Sequence, residues 1–184
     1  MDFTVTPGEL IDAYGLDRIT YFPRQRATGV ETRTAGFLST VGLPESDVFA
    51  SRMDVSDPYG PEVDAITVGS RFDHYGLQCP EESRSWWSLG YLFTSLIALD
   101  PVSGTVYAFP EGAIGYVELH RDVESLVFAL VELRKVETDR GNGVAPEVLA
   151  ARFREVVGTF DPTAFADGES QWSLAVEELE HGIW

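Results

Sequence analysis

The stretch YLFTSLIALDPVSGTVYAFP, residues 91–110, decides the fold of this chain. Two runs rich in apolar and aromatic residues flank a turn at residues 100–104, which contains the Asp, Pro, Ser and Gly that hairpin loops use. In the second run, Val106 and Ala108 alternate with aromatic residues, so one face of the strand can be buried while the other stays partly exposed. The pattern predicts an antiparallel β-hairpin.

Helical patterns surround this hairpin on both sides. After a predicted strand at residues 116–119, apolar residues recur every three or four positions behind Asp122, whose side chain can cap a helix. A short alternation at residues 64–69 predicts one more strand. Two further helices are predicted to begin at N-terminal caps, one at the capping box Thr6–Glu9 and one at Ser170. Two more are predicted over residues 31–41, ending at Gly42, and over residues 147–157, ending at Gly158. Strands in the middle and helices at both ends predict an α+β fold.

Composition and charge limit the classes of function. The chain has 184 residues, 44% hydrophobic and 23% charged, which favours a single globular domain over residues 1–184. With 13 Lys and Arg against 30 Asp and Glu, its net charge of −17 argues against nucleic acid or anionic lipid as a direct partner and favours a basic protein. The first ten residues lack a signal-peptide pattern, and no apolar run approaches the ~20 residues of a transmembrane helix. We therefore expect a soluble cytoplasmic protein.

The sequence has no pattern that indicates catalysis, a cofactor or a metal ion. A single cysteine, Cys79, excludes an intrachain disulfide and a cysteine-based zinc site, and no Gly-x-Ser-x-Gly elbow is present. His120, just ahead of the strongest predicted helix, is interpreted as a structural histidine. We expect a non-enzymatic protein. A loop that contains Asp73, His74 and Cys79 leaves an enzyme as an alternative, which loss of an activity in Cys79→Ala would support.

Acidic residues are concentrated in one part of the chain. Residues 45–82 hold nine carboxylates against two arginines, together with prolines and aromatic residues. This combination is typical of a recognition surface for a basic partner, although the same charge also serves solubility. Trp86 and Trp87 point to opposite sides of an extended segment, so one ring can stay accessible as an interface anchor unless both pack within the sheet. The candidate partner-binding residues are Asp54, Asp57, Asp64, Asp73, Glu81, Glu82 and Trp86.

Several short motifs, in this order and spacing, resemble the SUKH superfamily, and in particular its fourth subfamily, which is common in actinobacteria. The matching segments are FLSTVGLP (37–44), the hairpin IALD…GTVY (97–107), the strand and helix at 116–133, and the C-terminal extension that begins at Asp161-Pro162. The resemblance covers about residues 30–184, with a core over about 30–140 and a C-terminal helical extension over 145–184.

The resemblance implies both a fold and a role. The fold is a single α+β domain with a twisted, mainly antiparallel sheet flanked by helices. The role is that of an immunity protein, which binds and neutralises a cognate polymorphic toxin, often one that targets nucleic acid, and which has no catalytic residues. An acidic protein suits such a toxin because carboxylates can occupy the basic surface that receives phosphates. The alternative is a non-catalytic regulatory or scaffold adaptor of the same superfamily.

Overall fold

Six helices and seven strands make up the part of the chain that the computed structural model describes, residues 2–22, 29–51, 66–113 and 115–183. The helices are α1 (Pro7–Tyr14), α2 (Thr32–Thr40), α3 (Val68–His74), α4 (Val123–Gly141), α5 (Pro146–Phe160) and α6 (Gln171–Glu180). The strands are β1 (Ile19–Thr20), β2 (Leu43–Pro44), β3 (Phe49–Ser51), β4 (Trp87–Leu92), β5 (Ser95–Leu99), β6 (Val106–Phe109) and β7 (Val117–His120). The predicted α+β fold is confirmed.

Strands β3 to β7 form a five-stranded sheet in which every strand pairs antiparallel with its neighbour in the sequence. The predicted hairpin is the β5–β6 pair, with Leu99 opposite Val106. Its turn is held by Asp100, whose carboxylate accepts hydrogen bonds from the Val102 backbone at 2.9 Å and from the Ser103 hydroxyl at 2.8 Å. The turn residues seen in the sequence therefore make the contacts that close the hairpin.

Residues 91–99, which the sequence predicts as the first strand of the hairpin, belong to two strands and not one. Strand β4 ends at Leu92, and β5 begins at Ser95 after a tight turn. Phe93 adopts a φ of 53°, a left-handed conformation that turns usually give to Gly or Asn. Because neither residue type stands here, the sequence carried no sign of the turn.

The two faces of the sheet belong to two separate hydrophobic clusters. Ile97, Leu99, Val106 and Ala108 face the main core, which they share with the buried residues of α4. The intervening side chains, with Tyr107 among them, point to the opposite face and pack in a smaller cluster with residues of α3. The predicted alternation within β6 is therefore confirmed, and the second face packs in its own, smaller cluster.

Capping side chains fix where the helices begin. Asp122 accepts a hydrogen bond of 2.7 Å from the backbone of Ser125 at the start of α4, and Thr6 and Glu9 form the predicted capping box of α1. Gly42, which follows α2, has a φ of 83°, and a Cβ there would lie 2.7 Å from a backbone oxygen of β1, so only glycine fits. These helix starts and the stop after α2 agree with the prediction.

Two further local predictions are wrong. Residues 64–69 do not form a strand in the described part: Thr67 caps α3 by accepting a hydrogen bond of 3.2 Å from the Ser70 backbone, so Val68 begins a helix. Residues 64 and 65 lie outside the described residues. Gly158 does not end α5, which continues to Phe160 because a glycine inside a helix weakens it without breaking it.

Candidate protein-binding surface

Four aromatic residues form a contiguous layer on the sheet face that α4 does not cover. We call Trp86, Tyr107, Phe109 and Tyr116 the aromatic cluster. The rings of Trp86 and Tyr107 are stacked with centroids 4.2 Å apart, and the Tyr116 ring meets both of them edge-on at 4.8 and 5.2 Å. Such geometry adds to the stability that burial alone provides.

A groove of about 680 Å³ lies next to the aromatic cluster and shares Phe109 with it. Its walls come from α3 and the loop after it, from β4 and β5, and from the loop after β6. Tyr75 and Leu77 stand in this wall with 60% and 58% of their surface exposed. The groove is therefore concave, largely apolar and open to solvent.

Arg71 stabilises one side of the groove. Its side chain is buried, and its Nε donates a hydrogen bond of 2.6 Å to the hydroxyl of Tyr91. The guanidinium carbon also lies 4.7 Å from the ring centroid of Tyr91 and 5.6 Å from that of Tyr75. Cation–π contacts of this kind favour the positions that both rings adopt in the groove wall.

Carboxylates surround the apolar surface. Glu111 lines the groove, Glu82 accepts a hydrogen bond of 3.0 Å from the Tyr116 hydroxyl, and Glu118 lies opposite Tyr107 in the β6–β7 register. Burial and then the hydrogen bond to Glu82 raise the pKa of Tyr116. Burial and then the nearby charge of Glu118 raise the pKa of Tyr107. Both tyrosines therefore remain neutral.

The structure brings some of the predicted binding residues together. Asp73, Glu81 and Glu82 are exposed on α3 and the 3₁₀ turn Glu81–Ser83, and Glu82 is joined to Trp86 through Tyr116. Asp73 pairs with Arg84 at 2.5 Å, and this hydrogen bond raises the pKa of Arg84. The other predicted carboxylates, Asp54, Asp57 and Asp64, lie outside the described residues.

Trp86 is not the exposed anchor that the sequence suggests. Its side chain is only 7% exposed, because the backbone before β4 hydrogen-bonds to the start of α3 and the ring stacks on Tyr107. The exposed apolar residues of this surface are Tyr75 and Leu77, which the sequence analysis missed. Two large apolar residues on either side of a glycine, in an acidic stretch, are the signal that could have indicated them.

Asp73, His74 and Cys79, the residues of the enzyme alternative, make no hydrogen bond with one another. The Cys79 thiol lies 3.5 Å from the Pro80 carbonyl oxygen and 3.7 Å from the Ser83 hydroxyl, whereas the His74 ring packs edge-on against Tyr75. Within residues 2–22, 29–51, 66–113 and 115–183, no cluster of three or more His, Cys, Asp or Glu side chains could hold a metal ion. In the same ranges, no helix is long and apolar enough to span a bilayer.

Comparison with known proteins completes this description. A family model described as SUKH-4 immunity protein matches residues 5–178. Searches of curated proteins and of solved structures gave no match. The matched range includes the N-terminal helix α1, which lay outside the segments that carried the resemblance, and it runs into α6. The chain belongs to the SUKH-4 immunity protein family.

Proposed function

We propose that this protein neutralises a cognate toxin domain by covering its basic, nucleic-acid-binding surface, and that it does so by stoichiometric binding in the cytoplasm without catalysis. The observation that carries the proposal is the family match over residues 5–178, since immunity proteins act by binding a cognate toxin. The acidic excess of the chain favours a partner of opposite charge.

Charge complementarity makes the association of such a complex fast. A toxin that acts on nucleic acid needs cationic residues to hold phosphates, and these residues attract carboxylates equally well. The net charge of −17 steers such a surface toward the protein and raises the association rate. Fast capture matters for immunity, because each unbound toxin molecule continues to damage its substrate.

Apolar contacts must supply most of the affinity. Exposed ion pairs contribute only about 0–1 kcal/mol each, whereas buried aromatic anchors at the centre of an interface carry most of the binding energy. The groove and the aromatic cluster offer such a centre, with Tyr75 and Leu77 exposed and the carboxylates of Glu82, Glu111 and Glu118 around them. We therefore place the toxin on this face of the sheet.

Affinity capture tests the proposal. The full chain is tagged, expressed in its native host and recovered, and co-purifying proteins are identified by mass spectrometry. We expect a basic toxin domain that acts on nucleic acid. Capture of components of a regulatory complex, with no toxin among them, would contradict the proposal and favour the adaptor alternative. The charge-reversed variant Glu81→Lys, Glu82→Lys is captured under the same conditions for comparison, and we expect it to recover less of the same toxin.

A further inference from the structure

We propose that the groove receives an apolar side chain from a toxin segment in which Arg or Lys residues flank that side chain. This inference rests on the proposed function and specifies the chemistry of the segment that docks. It follows from the shape of the groove, its preformed walls and the sign of the charges at its rim.

The groove has room for an apolar side chain of a protein partner. Its volume of about 680 Å³ lies within the range of sites that enclose a ligand, and most of its lining is apolar. Tyr75 and Leu77 are exposed together at its edge. Other large exposed apolar residues, such as Leu16, Val102 and Val148, lie on separate elements away from this groove. At this groove, two large exposed apolar side chains adjoin an apolar concavity, a combination that is typical of an interaction site.

Contacts between side chains support the walls of the groove without a partner. Tyr75 and Tyr91 pack on the guanidinium of Arg71, and the Phe72 ring packs on Phe109 with centroids 5.5 Å apart. Phe109 in turn contacts Tyr116 of the aromatic cluster at 5.4 Å. A preformed site loses little side-chain entropy on binding, so an entering apolar group retains most of the gain from its burial.

The exposed carboxylates at the groove and beside it favour cations next to that apolar group. Glu111 is exposed at the groove, and Glu82 and Glu118 are exposed beside the adjoining aromatic cluster. The cations nearby present little free charge to a partner: Arg71 is only 8% exposed, and Arg84 forms an ion pair with Asp73. Arg or Lys in the docking segment therefore meets carboxylates, whereas Asp or Glu meets like charge.

The same charges argue against a second copy of this chain as the occupant. Each copy carries a net charge of −17, so two copies repel each other. A basic partner avoids this repulsion, and its association is accelerated by the negative charge of the chain.

A pair of synthetic peptides tests the inference on the full chain. One probe has a central Phe-Leu pair between Arg residues, and its twin has Glu in place of every Arg. Each is titrated into the isotope-labelled protein while backbone amide NMR shifts are followed. We expect the Arg probe to shift the amides of Leu77, Gly112 and Ala113, and the Glu twin to leave them unchanged. Shifts centred on another surface, or equal binding of the twin, would overturn the inference.

Substitutions at the groove provide the second arm. Tyr75→Ala and Leu77→Ala are each expected to weaken binding of the Arg probe about tenfold, as loss of an interface anchor does. The matched controls Leu16→Ala and Val148→Ala truncate side chains of similar exposure elsewhere and are expected to leave the affinity unchanged. Melting temperatures verify that all four variants fold. Equal affinities for all four would contradict the inference.

Different experimental results would show that this inference fails and that the proposed function fails. If Tyr75→Ala and Leu77→Ala inhibit the captured toxin as tightly as the wild type does, the groove is not the docking site although the immunity function stands. If no toxin is captured but the Arg probe docks in the groove with the expected selectivity, the proposed toxin function fails and the basic chemistry of the groove is supported.

Discussion

The indole N–H of Trp172 donates a hydrogen bond of 2.7 Å to Nε2 of His120, and both side chains are fully buried. The other ring nitrogen, Nδ1, lies 2.9 Å from a carboxylate oxygen of Asp161. Because Nε2 accepts a hydrogen bond from the indole N–H, that nitrogen carries no proton, so the imidazole is neutral and its one proton is on Nδ1. This chain of three residues connects the edge strand β7 to α6 and to the turn after α5. It also confirms the structural interpretation of His120.

Stability is expected to fall as the solution becomes acidic, in two steps. Burial lowers the pKa of His120, so below about pH 6.5 the unfolded chain binds a proton that the folded protein does not. The contribution of His120 to the stability of the fold is therefore complete above that pH and decreases below it. Although burial opposes ionisation of Asp161, hydrogen bonds from His120 and from the backbones of Arg121 and Thr163 lower its pKa to about 2. The stability that the ionised Asp161 carboxylate contributes is therefore lost as the pH falls below about 3.8 toward 2.

The measurement is the free energy of unfolding between about pH 8 and pH 5 for the wild type and for His120→Asn. The wild type is expected to lose stability across this range, whereas the variant, already less stable, is expected to show a shallower dependence. Equal slopes for the two proteins would mean that His120 does not control the first step.

Replacement of Trp172 by Phe tests the hydrogen bond itself. The variant keeps a ring beside Phe153, whose centroid lies 5.5 Å from that of Trp172, but it leaves Nε2 of His120 buried without a donor. We expect a loss of about 1–3 kcal/mol in the free energy of unfolding, measured by urea denaturation. A loss below about 0.5 kcal/mol would show that the bond contributes little.

The long helix α4 is expected to be essential for the fold. Leu126 and Leu130 are fully buried in the main core, so Leu126→Ala or Leu130→Ala should cost about 2–5 kcal/mol. Val148→Ala, at a position that is 56% exposed, serves as the control and should change stability by less than about 0.5 kcal/mol. Unchanged melting temperatures in both leucine variants would show that their burial does not stabilise the protein.

Charge reversal distinguishes a local interface from general repulsion. We expect that Glu81, Glu82 and Glu111 replaced together by Lys slow association with the toxin far more than Glu177, Glu178 and Glu180 replaced together by Lys. Both sets change the net charge equally, and all six side chains are exposed. Because charges are screened over about 8 Å at physiological salt, only those near the contact retain influence there.

Association rates at low and physiological salt are the measurement, with melting curves as the check on folding. A third set, Asp54, Asp57 and Asp64 replaced by Lys, tests the acidic residues that lie outside the described ranges. If the C-terminal set slows binding as much as either of the others, the acidic stretch serves solubility and our interface assignment is wrong.

The sequence predicted the elements whose signals are local. The β5–β6 hairpin follows from its turn residues, and α4 follows from the cap at Asp122 and the apolar period behind it. The turn at Phe93 was missed because its left-handed backbone is held by the surrounding structure and not by a glycine. The alternation at residues 64–69 was too short to distinguish a strand from a helix start, and the cap at Thr67 decided between them.

The binding surface was harder to predict than the fold. The acidic stretch is visible in composition, and Glu82 does lie beside the aromatic cluster. Whether a given aromatic ring is exposed depends on which segment covers it, and only the tertiary structure shows that α3 and Tyr107 bury Trp86. The same packing leaves Tyr75 and Leu77 uncovered at the groove. Local sequence does not encode either outcome.

Titration of the captured toxin with this protein tests the central claim most directly. The toxin's action on its nucleic-acid substrate is measured while increasing amounts of the purified chain are added. Stoichiometric binding predicts that activity falls in proportion to the added protein and reaches its minimum at equimolar amounts, and that Cys79→Ala inhibits as well as the wild type. Neutralisation by trace amounts, or full toxin activity in the presence of excess protein, would contradict the account.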